Sequence, residues 1–402
     1  MARSSGLSSV SPDSAGGPAA VPRVYLDYAA FSPVDPRVVA VMRPFLEGGV
    51  GNPGAQHSLG LEARASLDGA RAKVARLFGG APAGVIFTSS ATEANNLAIR
   101  GLAARAAGRH VVTSAIEHVS VLNCCRELEK QGFRVTYVGV DADGCVDPGA
   151  VARALADDTA LLSITAASSE IGTLEPVREI GRLARERGVP FHVDAVGAAG
   201  RVPLAVDDAH VDLLTLSSND LYGPPGAGAL WVRPGTRLVP LILGGGQESG
   251  YRSGTENLPA IVGMGVAADL ARAEGAAEVA RLRALRDRLL AGLLDRLSQA
   301  RATGARGAGR LPHHASLVVP GVKAEAVLLE LDLRGVAASS GSACSAATGE
   351  PSHVLRAIGV SREASEGALC FTLGRWTGPG DIDFVLDAVP AVVERLRRLA
   401  PR

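Results

Sequence analysis

Residues 85–101, VIFTSSATEANNLAIRG, hold the change of pattern that decides the fold. Val85 to Thr88 are β-branched or aromatic without interruption, the composition of a strand buried on both faces. Ser89, Ser90 and Thr92 follow, and a stretch of helical pattern then begins. Small hydroxyl residues at such a junction have two readings. Ser90 or Thr92 caps an ordinary helix, or the free amides at the helix N-terminus hold a phosphate.

Working outward, the same alternation recurs. β-rich runs stand at 110–115 (HVVTSA), 134–140 (RVTYVGV), 161–167 (LLSITAA), 191–196 (FHVDAV), 213–218 (LLTLSS) and 228–233 (GALWVR), with amphipathic helical stretches such as VREIGRLARERG between them. Together with 85–90 they predict a mostly parallel, seven-stranded α/β sheet covered by helices on both faces. A long Ala/Leu/Arg helical region comes after residue 257, then strand candidates such as HASLVVP and a C-terminal helix. We therefore expect a large α/β domain over 23–256, whose N-terminal segment contributes to a small α+β domain over 257–402. Residues 1–22 have no apolar core flanked by charge and are expected to be a disordered tail, neither signal peptide nor anchor.

Composition narrows the function. At 402 residues and 47% hydrophobic content the chain can build two cores. Lys and Arg number 41, as do Asp and Glu, so no basic footprint for nucleic acid is expected. No run is long and apolar enough to span a bilayer. The five cysteines lack the spacing of a zinc site or disulfide framework, and adjacent Cys124 and Cys125 read as packing. A reduced, cytoplasmic setting is the expectation.

Ligands of such sheets collect at the carboxyl ends of the strands. Those ends supply Thr88 to Glu93, Glu117 and His118, Ser168 to Glu170, Asp194, and Ser217 to Asp220. Asp194 closes an apolar strand, where a carboxylate needs a partner. His118 taken alone reads as a structural or surface residue.

Taken together, these residues carry a specific resemblance. Through VYLDYAAFSPVDPRV, GNPGAQHSLGLEARASLDGARAKVARLFG, FTSSATEANNLAIRG, FHVDAVGAAGRVPL, GGGQESGYRSGTENLPAIVG, GVAASSGSACSAATGEPSHVLRAIG and FTLGRWTGPGDID, the chain resembles the cysteine desulfurases. These belong to the class V aminotransferase group of fold type I pyridoxal phosphate enzymes. The resemblance implies a homodimer, a cofactor pocket at its interface, and a loop cysteine that takes sulfur from free cysteine as a persulfide. It maps the phosphate cradle onto Ala91, Thr92 and Ser217, with Thr255 supplied by the other subunit. It maps the ring-stacking histidine onto His118, the partner of the pyridine nitrogen onto Asp194, and the loop cysteine onto Cys344.

The reacting groups depart from the family. Its Schiff-base lysine is Asp220 here, and the histidine before it is Asn219. The residues that contact the cofactor oxygen fall on the Ser168-Ser169 pair and Gly197, and the substrate-carboxylate arginine falls on Cys370. The chain's lysines are Lys73, Lys130 and Lys323, which the resemblance places away from the pocket. Aspartate accepts a proton but cannot form an imine. Charge reversal at 220 and charge loss at 370 should also repel an amino-acid carboxylate.

Whether the chain is an enzyme stays open at this point, and three functions remain. In the first, the protein acts in sulfur transfer or iron-sulfur cluster assembly, with Cys344 carrying a persulfide or ligating a nascent cluster beside a scaffold or sulfur-acceptor protein. In the second, it is an enzyme of altered chemistry that binds pyridoxal or pyridoxamine phosphate noncovalently, with Asp220 and His118 as acid-base groups. In the third, it is an inactive structural partner of an active paralogue, its pocket residues kept by the hydrogen bonds they make within the fold.

Overall fold

The computed structural model describes residues 24–48, 51–341 and 352–399. A short strand β1 (Val24–Tyr25) precedes helices α1 (Pro36–Leu46) and α2 (Ser58–Phe78). Strands and helices then alternate: β2 (Val85–Thr88), α3 (Ala91–Ala103), β3 (His110–Ser114), α4 (Val119–Lys130), β4 (Arg134–Val138), α5 (Pro148–Ala154), β5 (Thr159–Thr165), α6 (Val177–Glu186) and β6 (Phe191–Asp194). β7 (Leu213–Ser217) and β8 (Gly228–Val232) complete this part. The long α7 (Leu258–Arg296) leads to β9 (Arg301–Ala302), β10 (His314–Val318), α8 (Ala324–Leu333) and β11 (Val336–Ala337). Last come α9 (His353–Ala357), α10 (Arg362–Ser365), β12 (Ala368–Thr372) and α11 (Pro379–Leu399).

All seven β-rich runs join one sheet, in the order β2-β8-β7-β6-β5-β3-β4. Strand β8 alone runs antiparallel to its neighbours, β2 and β7. The cause is local: a tight turn over Asn219–Leu221 and the ring residues after it return the chain with no crossover helix, which a parallel strand would need. Within the apolar runs, side chains alternate between two covered faces. Phe87, Val112, Leu162, Leu214 and Trp231 pack toward α2, α6 and the first turns of α7, whereas Ile86, Val111, Leu161, Leu213 and Leu230 pack toward α3 and α4.

A second core lies beyond the sheet. The start of α7 up to Ala268 belongs to the sheet's core, while Leu282, Leu285, Leu289 and Leu293, on one helical face, belong to the second core with α8, α11, β10 and β12. The antiparallel sheet β12-β10-β9 supports that second core. Strand β1 pairs with β11, and Val24 and Leu26 are buried beside it. One glycine matters for the site: a Cβ on Gly228 would lie 2.5 Å from the Ser90 carbonyl carbon, so glycine lets β8 run against the turn that opens α3. No helix among the described residues is long and apolar enough to cross a membrane.

Arg375 clasps the two cores together. Its guanidinium reaches Glu278 of α7 at 3.0 Å, pairs with Asp35 before α1, and stacks 4.5 Å from the Tyr222 ring centroid. Its backbone amide donates to the Tyr222 hydroxyl at 2.9 Å, and that hydroxyl donates to Glu278 at 2.7 Å. The hydrogen bonds of Arg37 first, and then Arg375, hold the Asp35 carboxyl well below the usual carboxylate range against the opposing pull of burial. Removing the guanidinium takes the cation from mostly buried Glu278, which keeps only the Tyr222 hydroxyl, and leaves Asp35 to Arg37 alone. We predict that Arg375→Ala costs about 3 kcal/mol in denaturant unfolding. A loss below roughly 1 kcal/mol would show that the clasp behaves as a surface ion pair.

Candidate active-site cavity

The carboxyl ends of the sheet strands open into a cavity of about 430 Å³. Its far wall comes from the second core and the N-terminal segment, including His313, His314, Ser339, Cys370 and Asp27. At the end of β2, Ser90 caps α3, accepting from the Glu93 amide at 3.2 Å, and the Glu93 carboxylate accepts from the Ser89 amide at 2.8 Å. The capping reading of the sequence therefore holds. It also leaves the amides of Ala91 and Thr92, both at the cavity, with no partner inside the helix.

Asp194 has the partner its position demanded. Asn95 of α3 donates to it at 2.8 Å and the Val196 amide at 3.1 Å. The Asn95 amide also donates to the Ser120 hydroxyl at 2.9 Å, which in turn bonds the His118 ring at 2.7 Å. His118 Nδ1 accepts the Ser120 backbone amide as the cap of α4, so in the neutral ring the proton sits on Nε2. A network thus runs from buried Asp194, Asn95 and Ser120 to the exposed His118 and fixes two site residues with respect to each other. Asn95 was not singled out in the sequence, because within a helical run it reads as a surface amide.

Asp220 lies in the single 3-10 turn after β7, and Tyr222 closes that turn with a left-handed φ of 62°. Burial pushes the Asp220 carboxyl up to about 6, with Arg201 and the Ser217 hydroxyl pulling down and Asp194 pushing up. Three more acids line the cavity. Burial raises Glu117 to about 8, Glu170 to about 7 and Asp27 to about 6. Glu117 accepts from the Ser114 hydroxyl at 2.7 Å and the Thr165 amide at 2.8 Å, while its second oxygen has no partner.

Near neutral pH Glu117 is largely protonated and Glu170 partly so, whereas Asp220 and Asp27 are mostly ionised, and Arg201 adds a cation at the wall. Arg201 offsets part of the negative charge expected from residues 220 and 370. An arginine in a turn looks like surface charge in a sequence, which is why Arg201 gave no signal.

Ala91, Thr92, His118, Asp194, Ser217 and Asp220 all line the one cavity, as do Ser168, Ser169, Gly197 and Asn219. Thr255 is exposed and does not line it. Cys344 lies outside the described residues. Cys370 is both a buried residue of β12 and part of the wall, 3.3 Å from the His314 ring, and burial pushes its thiol far up. Such a thiol stays protonated and is a poor nucleophile. Lys73 pairs with Asp269 and Lys130 with Glu127, and no lysine lines the cavity among the described residues. Cys124 and Cys125 are packed in the core beneath α4.

Glu117 generates a pH dependence. Its folded value, about 8, lies above its ordinary 4.5. The folded state then keeps a proton that the unfolded chain has released, so this contribution to stability is complete below pH 4.5 and is lost as pH rises through 8. We predict that the melting temperature of wild type falls relative to Glu117→Gln between acidic and mildly alkaline pH. Parallel melting curves across that range would show that Glu117 titrates normally.

The class V aminotransferase family pattern matches residues 24–375. The cysteine desulfurase IscS 1 of Archaeoglobus fulgidus is 45% identical over 379 residues, which is 94% of this chain and 98% of the relative. The cysteine desulfurase IscS of Dictyoglomus turgidum is 45% identical over 380 residues, again 94% of this chain and 96% of the relative. Among solved structures, a NifS-like protein superposes with a TM-score of 0.87 at 33% identity, covering 93% of this chain and all of its own. The matched span takes in both cores and the cavity between them: the chain belongs to the class V aminotransferase family, among the cysteine desulfurases.

Proposed function

We propose that this protein serves sulfur transfer or iron-sulfur cluster assembly without the imine chemistry of a standard cysteine desulfurase, and that Cys344 is its working thiol. One observation carries this reading: Asp220, which the family resemblance sets at the Schiff-base lysine, lines the cavity, and no described wall residue is a lysine. A carboxylate does not condense with an aldehyde. The thiol remains. Cys344 sits within SSGSACSAATGEP, too small and polar a sequence for a core segment.

As a sulfur carrier, the Cys344 thiolate attacks the outer sulfur of a donor persulfide. The new S–S bond forms as the donor's S–S bond breaks, the donor departs as a thiolate, and no net oxidation occurs. As a cluster ligand, the same thiolate binds iron beside the cysteines of a scaffold protein. The same reading takes residues 23–256 as the body that holds the cavity and 257–402 as the body that carries the Cys344 loop. It also takes the protein as a cytoplasmic homodimer.

The preserved network from Asp194 to His118 supports a second reading, a noncovalent pyridoxal or pyridoxamine phosphate. The amides of Ala91 and Thr92 with Ser217, and Thr255 from a second subunit, would hold the phosphate; Asp194 would face the ring nitrogen and His118 the ring. Bound there, the cofactor would supply an electron sink. The residues present fit this hold but not a covalent link. Asp220 and His118 would then move protons.

For the first reading we predict that Cys344→Ser abolishes both persulfide loading from a low-molecular-weight persulfide, read by intact-protein mass, and anaerobic iron-sulfur absorbance. Retention of both signals would sink it. For the second we predict a cofactor absorbance band that survives desalting in wild type and is lost in Asp194→Ala. A wild-type protein that desalts colourless after incubation with pyridoxal phosphate excludes that reading.

A further inference from the structure

Glu170 has a place in neither reading, yet it meets the chain on both sides of the segment that contains Cys344. The described chain reaches Gly341 and resumes at Ser352. On the first side, Ser339 pairs with Cys370 of β12, and Gly341 turns with a left-handed φ of 87°, its amide donating to the Ser339 hydroxyl at 3.0 Å. A Cβ on Gly341 would lie 3.3 Å from the Glu170 carbonyl oxygen, so glycine lets the chain pass against the Glu170 backbone. On the second side, the Ser352 hydroxyl donates to the Glu170 carboxylate and accepts the Leu355 amide at 3.1 Å as the cap of α9. Backbone and side chain of one residue thus bear on positions 341 and 352.

The seat of α9 joins this contact to the cavity. His353 Nε2 donates to the Glu117 carbonyl at 2.9 Å, and Val354, Leu355 and Ile358 pack with Ile116 and Ile171. Each of those isoleucines adjoins an acid of the cavity wall, Glu117 or Glu170. The other titratable groups on the elements around Glu170 are Asp27, His314, Cys370 and His353. Burial lowers His314 and His353 and raises the Cys370 thiol, so none of the three is charged near neutral pH. The balance on Glu170 itself is burial, pushing its carboxyl up to about 7, against the Ser352 hydroxyl pulling it down. An ionised acceptor makes the stronger hydrogen bond, so the Ser352 contact tightens when the carboxyl loses its proton. We propose that Glu170 is a positioning residue for the Cys344 thiol: as a carboxylate it pins the start of α9 through Ser352, beside the chain at Gly341, and protonation from the cavity loosens that pin. The proposal rests on the reading of Cys344 as the working thiol and adds a control by the cavity.

Two measurements on the full-length protein, each at pH 6 and pH 8, test it. Amide hydrogen exchange over residues 352–357 reads the pin, and alkylation of Cys344 by iodoacetamide, followed by peptide mass, reads its effect on the thiol. Neither needs a persulfide or a cluster, so failure here is distinct from failure of the sulfur-transfer reading. At pH 8 wild type should exchange and be alkylated more slowly than Glu170→Gln by about threefold or more, because a charge-assisted bond holds one end of the segment. At pH 6, where Glu170 is largely protonated, the two should converge. Ser352→Gly keeps most of the helix cap but loses the donor, so it should match Glu170→Gln at both pH values and serves if that variant folds poorly. A ratio of wild type to Glu170→Gln that is the same at pH 6 and pH 8 would overturn the proposal. So would a Ser352→Gly protein that behaves as wild type, or a change in exchange with no change in Cys344 alkylation.

Discussion

The clasp of Arg375 with Asp35, Glu278 and Tyr222 is the contact on which the cavity depends. Tyr222 carries a left-handed backbone that a bulky residue adopts only when its surroundings over-determine it. Here its hydroxyl is bonded twice and its ring lies under a guanidinium. That fixed residue ends the turn bearing Asn219 and Asp220, so the placement of the altered pocket residues is set by an ion-pair cluster at the seam of the two cores. Arg281 adds to the seam by donating to the Thr377 and Gly374 carbonyls from the middle of α7. The one helix long enough to enter both cores thus also braces the loop that supplies Arg375.

The electrostatics of the cavity follow from burial more than from pairing. Glu117, Glu170, Asp27 and Asp220 are all raised by desolvation, and among the described residues none has a cation in salt-bridge contact. Acids in that state act as neutral hydrogen-bonding groups for much of the accessible pH range. The histidines of the opposite wall are lowered for the same reason, His314 to about 3. With His313 and His314 neutral, the fixed charge of the cavity near neutral pH is Arg201 set against ionised Asp220 and Asp27. An anion entering it meets Arg201 together with these carboxylates, so the repulsion expected from residue 220 is offset only in part.

How far the sequence could be read follows from the same physics. Seven strands were legible because burial on both faces forces uninterrupted β-rich runs, and Asp194 stood out as a carboxylate closing one of them. The reversed direction of β8 was not legible in periodicity, since direction depends on the length of the turn before it. Asn95, Arg201, His313 and His314 gave no signal, because each enters the cavity from an element whose local pattern says only helix, turn or strand. Their meeting depends on how the second core closes over the sheet. The family motifs named residues that share one cavity, Thr255 excepted, and said nothing of its protonation, which depends on three-dimensional burial.

Replacing a reactive amine by Asp220 does more than delete a bond-forming group. A lysine at that position would add a second cation to the wall that already holds Arg201. Aspartate instead supplies a buried carboxyl that feels the charge of Arg201. Arg201 and Asp220 are best understood together: burial raises the Asp220 carboxyl, Arg201 opposes that shift through its charge, and among the described residues the two form no ion pair.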